Sequence, residues 1–130
     1  MNLLPDTHVL IWWIEGSDRL GPKTQDKMFR DGVTLWVSAA AVWEMAIKTA
    51  RGRLQMDPPV EETIPLLLKQ GFLRLPITIQ HALAVRTLPL LHNDPFDRML
   101  VAQAQCEDLT LVTADPAIMA YDIRTIDAST

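Results

Sequence analysis

Apolar positions along the chain fall into two periods. Short runs rich in Leu, Ile and Val at residues 2–4, 33–37, 72–75, 109–112 and 123–126 have the length and composition of strands. Between them the apolar spacing lengthens to three and four residues. This predicts helices over 7–15, 22–30, 39–50, 60–70, 79–86 and 95–105, with a further short one after Asp115. Strands that alternate with helices imply parallel βαβ units. Such a sheet carries helices on both faces, so its strands can be apolar almost throughout, as Leu-Thr-Leu-Val at 109–112 nearly is. Gly16 and Gly21 bracket the first helix connection, Gly71 follows the fourth helix, and Pro58-Pro59 opens that helix.

With 130 residues and 48% hydrophobic composition, the chain reads as one domain over residues 1–130 with a sizeable core. No window approaches the roughly 20 apolar residues of a membrane span, and the first residues lack the basic region of a secretory signal. A cytoplasmic location without membrane association is the expectation. The single cysteine, Cys106, lies in the apolar run Leu-Val-Ala-Gln-Ala-Gln-Cys and is expected to be buried. A formal net charge of −4 speaks against holding nucleic acid by charge neutralisation alone. Any such chemistry must recruit cations. His8, His81 and His92 stand far apart, in no zinc-binding spacing.

The acids are placed more tellingly. Asp6 follows the first strand and Asp115 the fourth, each before a helix, so both belong at the carboxyl edge of a parallel sheet, where open sheets bind ligands. Asp94-Pro95-Phe96-Asp97 opens another helix. Each of these aspartates also has an ordinary role near a helix start: Asp6, Asp94 and Asp115 as N-caps, and Asp97 at the third position, within reach of a capping box. Glu44 is different. It falls mid-helix in Ala-Ala-Ala-Val-Trp-Glu-Met-Ala-Ile, where a carboxylate needs either a surface partner, such as Lys48 one turn on, or a cleft to point into.

Carboxylates gathered in one cleft repel each other unless a hard cation such as Mg²⁺ or Mn²⁺ joins them, and such ions favour phosphodiester hydrolysis. Hydroxyls of Thr7, Ser38 and Thr113 lie beside these acids in sequence and can orient ligands or waters, or simply cap. Arg51 and Arg53, in the Gly- and Pro-containing stretch after the third helix, together with Lys48, are candidates for contact with a phosphate backbone. The arginines serve equally as positive charges at a helix end.

Taken together, Leu4-Pro5-Asp6-Thr7-His8, Ser38-Ala39-Ala40-Ala41-Val42-Trp43-Glu44 with Lys48, Asp94-Pro95-Phe96-Asp97-Arg98 and Leu111-Val112-Thr113-Ala114-Asp115 resemble the PIN-domain family in order and spacing. The resemblance is strongest to VapC-type toxins with a DPFDR segment, and it spans nearly the whole chain. It implies an α/β fold, a three-layer α/β/α sandwich around a five-stranded parallel sheet. It implies a Mg²⁺- or Mn²⁺-dependent endoribonuclease using one or two ions, the toxin of a toxin–antitoxin pair. The family's acidic site maps onto Asp6, Glu44, Asp97 and Asp115, as catalytic residues and metal ligands, with Asp94 auxiliary. Homodimers, and a cognate antitoxin whose tail enters the acidic groove, are also implied. Pro5 departs from the family pattern and removes a backbone donor near the end of the first strand.

Two other classes compete. An aspartate-based phosphoacceptor or phosphatase would need an acid where His8 stands, or a pair of acids after the first strand. A non-catalytic PIN-like binding module would use the acids as caps and the tryptophans Trp12, Trp13, Trp36 and Trp43 at an interface. Cleavage of RNA with Mg²⁺ separates enzyme from module.

Overall fold

The computed structural model describes residues 1–130. Five strands, β1 (Asn2–Pro5), β2 (Thr34–Ser38), β3 (Leu73–Leu75), β4 (Thr110–Thr113) and β5 (Thr125–Asp127), form one sheet in the order β3-β2-β1-β4-β5. Every neighbouring pair is parallel. The helices are α1 (Thr7–Glu15), α2 (Pro22–Met28), α3 (Ala39–Ala50), α4 (Val60–Lys69), α5 (Ile79–Ala84), α6 (Pro95–Glu107) and α7 (Pro116–Met119).

Strand alternation divides the core into two layers. Leu3, Leu35, Val37 and Val112 point to one face and pack with Val9 and Leu10 of α1, Met28 of α2, Met45 of α3 and Leu67 of α4. Leu4, Leu75 and Leu111 point to the other, against Leu100, Val101 and Ala104 of α6 and Ile118 of α7. The result is the three-layer α/β/α sandwich around a parallel sheet that the sequence pattern and the resemblance led us to expect. Each fully buried Leu contributes about 1.5–3 kcal/mol.

The element boundaries shift from expectation for local reasons. Residues 79–86 do not form one helix: α5 stops at Ala84 and a single 3₁₀ turn covers Val85–Thr87. Leu88 precedes Pro89 and is held extended, at φ −70° and ψ 137°, because the proline ring disfavours a helical residue before it. Helix α6 instead runs on to Glu107 and stops where Asp108 turns left-handed at φ 55°. Cys106 corrects its expectation: it is exposed. The inward stripe of α6 passes through Leu100, Val101 and Ala104, and Cys106 lies off that stripe in the last turn. No helix is long and apolar enough to cross a membrane.

Pro5 is accommodated by the direction of its missing donor. The Asp6 N–H donates to the Val112 carbonyl at 2.9 Å, toward β4. Alternate residues of a parallel strand bond to opposite neighbours, so the Pro5 nitrogen faces β2. There the register ends at Leu3 opposite Leu35, so the ladder to β2 stops where the donor is missing while the ladder to β4 continues.

The chain's last residues close over the start of α2. The Gly21 N–H donates to the Ala128 carbonyl at 2.9 Å and the Lys23 N–H to the Thr130 oxygen at 3.0 Å. A Cβ on Gly21 would stand 2.1 Å from the Thr130 carbonyl carbon, which is backbone and cannot swing aside. Gly21→Ala is expected to destabilise the fold by about 1–3 kcal/mol, the scale of overpacking. Urea denaturation checks this, and an unchanged midpoint would mean that the terminal segment does not hold this position in solution.

The topology positions the site. From β1 the chain steps to one side for β2 and β3 and to the other for β4 and β5, so the order reverses between β1 and β4. The crevice beyond their carboxyl ends is where such sheets bind ligands.

Candidate active site

Asp6 and Asp115 flank that crevice. They line a cleft of about 260 Å³ together with His8, Trp12 and Ala114. A larger hollow of about 390 Å³ between α3, α4 and β3 is lined mostly by apolar side chains such as Val42, Trp43, Ile64 and Leu75, and holds no acid. The crevice at the carboxyl ends of β1 and β4, where the strand order reverses, is the candidate for chemistry.

Asp6 is 4% exposed and doubly anchored. Its Oδ1 accepts the Val9 N–H at 2.9 Å, capping α1, and its Oδ2 accepts the Thr113 hydroxyl at 2.6 Å. Burial raises its pKa above the ordinary carboxylate value; the Thr113 and Val9 bonds and the charge of His8 oppose the rise, and Glu44 adds to it. Thr113 also accepts the Asp115 N–H at 3.0 Å, so one hydroxyl ties the ends of β1 and β4 together.

Glu44 is 2% exposed although it lies in the middle of α3. Its Oε1 accepts the Thr7 hydroxyl at 2.7 Å, and its Oε2 pairs with Lys48 Nζ at 2.5 Å. Both readings of this residue thus hold in part: the Lys48 pair exists, but the carboxylate is buried and faces α1. Glu44 and Lys48 hold each other, and Lys48 also feels the fields of Asp94 and Asp97. Its pKa is raised chiefly by the Glu44 bond.

At the head of α6, Asp94 is the N-cap, its Oδ1 accepting the Phe96 and Asp97 N–H groups at 2.9 and 3.0 Å. Asp97 does not close a capping box. Its Oδ2 lies 3.3 Å from His92 Nε2, and its Oδ1 has no partner in the chain. Burial first and the Asp94 charge second push the Asp97 pKa up to about 6, against the His92 bond; Glu44 and Asp6 contribute further. Carboxylates from β1, α3 and α6 thus share one field. Asp115, in the same cleft as Asp6, caps α7 through the Ala117 N–H at 2.9 Å.

Not every candidate converges. Ser38 caps α3 through the Ala40 N–H at 3.0 Å and donates to Gln103 Oε1 at 2.5 Å, touching none of the acids. Arg51 and Arg53 are exposed at the end of α3, outside the cluster. Among the tryptophans, Trp12 lines the cleft, Trp13 stacks on Phe29 at 4.2 Å, Trp36 is half-buried, and Trp43 is 54% exposed and edge-on to Phe96 at 5.1 Å. Sequence reasoning missed His92 and Tyr121, and gave Arg98 no role. The proximity of His92 to Asp97 in sequence was the available signal; nothing marked Tyr121, which lies on another element.

No three His, Cys, Asp or Glu side chains are gathered tightly enough to hold one ion by themselves. The donor set nonetheless suits a hard divalent cation. All its members are oxygen donors, the charges of Asp94, Glu44 and Asp6 add to the burial that raises the Asp97 pKa, and Asp97 Oδ1 is free. Mg²⁺ keeps several waters and usually takes one or two carboxylates, so a cage is not required.

The chain matches the PIN domain family over residues 3–123. No curated protein matches it. Solved structures with a similar fold include VapBC2 from Rickettsia felis bound to a promoter DNA fragment, at 13% identity and TM-score 0.73, covering 97% of this chain and 98% of that one. A toxin–antitoxin complex from Klebsiella pneumoniae is similar at 17% identity and TM-score 0.64, over 95% of each chain. VapBC-1 from nontypeable Haemophilus influenzae is similar at 18% identity and TM-score 0.64, over the full length of both.

Proposed function

The chain belongs to the PIN domain family, and on that premise we propose that it is a Mg²⁺- or Mn²⁺-dependent endoribonuclease acting as the toxin of a toxin–antitoxin pair. The observation that carries this reading is the convergence of Asp6, Glu44, Asp94 and Asp97 in one field, with Asp115 sharing the Asp6 cleft. One or two divalent ions, when bound, supply polarisation of the phosphodiester, ionisation of the attacking water and charge for the leaving oxygen. Asp6, Glu44, Asp97 and Asp115 would hold them, with Asp94 assisting.

The chain's own groups do the rest. Thr113 fixes Asp6 while Thr7 and Lys48 fix Glu44, so these carboxylates need not reorganise when charge develops. Trp12 and His8 form the cleft's wall, where a nucleobase can stack. Arg51 and Arg53 meet the RNA backbone, compensating locally for a net charge of −4. The partner is a cognate antitoxin whose basic groups complement the acidic cleft, and the toxin acts as a homodimer in the cytoplasm. A non-catalytic module is the second reading; exposed Trp43, Ile79, Leu83 and Leu90 favour it as contact surface.

The deciding experiment is incubation of antitoxin-free protein with a mixed RNA pool and Mg²⁺, Mn²⁺ or EDTA. Cuts that vanish with EDTA support the enzyme; intact RNA with well-folded protein supports the module. Arg51→Ala with Arg53→Ala is expected to raise KM several-fold, leave kcat unchanged and flatten the salt dependence of binding. A fall in kcat alone would remove the arginines from the binding path.

A further inference from the structure

Arg98 is a buried cation without a carboxylate partner. It is 8% exposed, and its guanidinium is met by neutral oxygens only. Nη1 donates to the Pro89 carbonyl at 2.8 Å and to Tyr121 Oη at 2.9 Å, and Nη2 donates to the Val85 and Leu88 carbonyls at 3.4 Å. Leaving a charge in the interior costs several kcal/mol unless its hydrogens are matched, so these contacts fix the group firmly.

Its chemistry then sets a direction. A guanidinium only donates, so the Tyr121 oxygen must accept from it. The phenolic hydrogen is left for its other neighbour, His92 Nδ1, at 2.8 Å. An imidazole that accepts at Nδ1 carries its proton on Nε2, and Nε2 faces Asp97 Oδ2 at 3.3 Å. The chain of bonds runs from Arg98 through Tyr121 and His92 to Asp97, with each donor aimed toward the carboxylate. Tyr121 is 3% exposed, so water does not compete for its hydroxyl. One oxygen of Asp97 is thereby held, and Oδ1 is left without a partner in the chain.

We propose that Tyr121 is a positioning residue for Asp97, acting through His92, with Arg98 fixing the orientation of the tyrosine hydroxyl. Its effect on turnover rests on the ribonuclease reading, but its effect on the imidazole does not. Neighbours that orient a ligating or reacting group commonly change activity by about 10–100-fold when removed.

The test compares wild type with Tyr121→Phe, which keeps the buried ring and removes only the hydroxyl. Imidazole ¹⁵N NMR at pH 7.5 is expected to find His92 with its proton on Nε2 in wild type and a tautomer mixture in the variant. On RNA, kcat should fall about tenfold or more with KM within about twofold. His92→Gln, which can still present an amide N–H to Asp97, should retain more activity than His92→Ala; if Tyr121→Phe does not fold, the wild-type tautomer decides, because a proton on Nδ1 rules out donation from Tyr121. Wild-type His92 protonated on Nδ1, or Tyr121→Phe with unaltered tautomer and kcat, would overturn the proposal. Should folded wild type cut no RNA, the ribonuclease reading falls, and the tautomer comparison alone upholds or overturns the positioning role.

Discussion

Asp97→Asn is expected to leave the chain folded, to stop RNA cleavage and to make the folded state more stable at neutral pH than the wild type. Burial first, and the charge of Asp94 second, hold the carboxylate's pKa at about 6 against an ordinary value of 3.8. A pKa raised on folding means that the native state binds more protons than the unfolded chain between those two values. The associated stability is fully present below about pH 4 and is lost as pH rises through about 6. Asparagine carries no charge, accepts from His92 as the carboxylate does, and escapes that loss. At pH 7.5 the variant should be more stable by on the order of 1 kcal/mol, allowing for solvent screening of a half-buried group. The gap should close near pH 4. Urea denaturation at the two pH values reads it, and a variant less stable than wild type at pH 7.5 would show that burial and neighbouring charge do not disfavour the ionised carboxylate in solution. Cleavage should fall by at least about 10²–10³-fold, the scale of removing one fixed electrostatic contributor from a shielded site.

The second large effect separates two roles of Asp6. Asp6→Asn retains an oxygen for the Val9 N–H and a polar atom beside Thr113, so the fold should persist while cleavage is lost. Asp6→Ala removes the cap of α1 and leaves the buried Thr113 hydroxyl without its acceptor. Loss of a cap costs about 0.5–2 kcal/mol, and an unmatched buried polar group about 1–3 kcal/mol. The alanine variant is therefore expected to lose both activity and a substantial part of its stability, as read by thermal unfolding and an RNA cleavage assay. Retained wild-type turnover in Asp6→Asn would take Asp6 out of the site.

Much of this was legible in the sequence because strand and helix periods are set by which face is buried. The third helix is found over Ala39–Ala50 as expected, since its apolar spacing is unbroken. Glu44 stood out because a charge in an apolar helix needs a partner, and the structure supplies two, Thr7 and Lys48. Other features depended on tertiary placement. Cys106 looked buried from its neighbours, yet only the helix's angular phase decides which face is covered. The link from Arg98 to Asp97 crosses two loops and α7's end, and no local pattern encodes a contact between His92 and Tyr121. Caps and candidate site residues also look alike in sequence: Asp6, Asp94 and Asp115 are caps in the structure, and capping fixes where their carboxylates stand.

The most direct test of a shared carboxylate site is calorimetric titration of Mn²⁺ into the purified protein at pH 5.5 and pH 7.5, with Asp97→Asn in parallel. Saturable binding to wild type that strengthens toward pH 7.5, as Asp97 gives up its proton, and weakens about tenfold or more in the variant is the expected result. No binding to folded wild type, or equal binding by both proteins at both pH values, would contradict it and leave Asp6, Asp94 and Asp115 with the single role of capping helices.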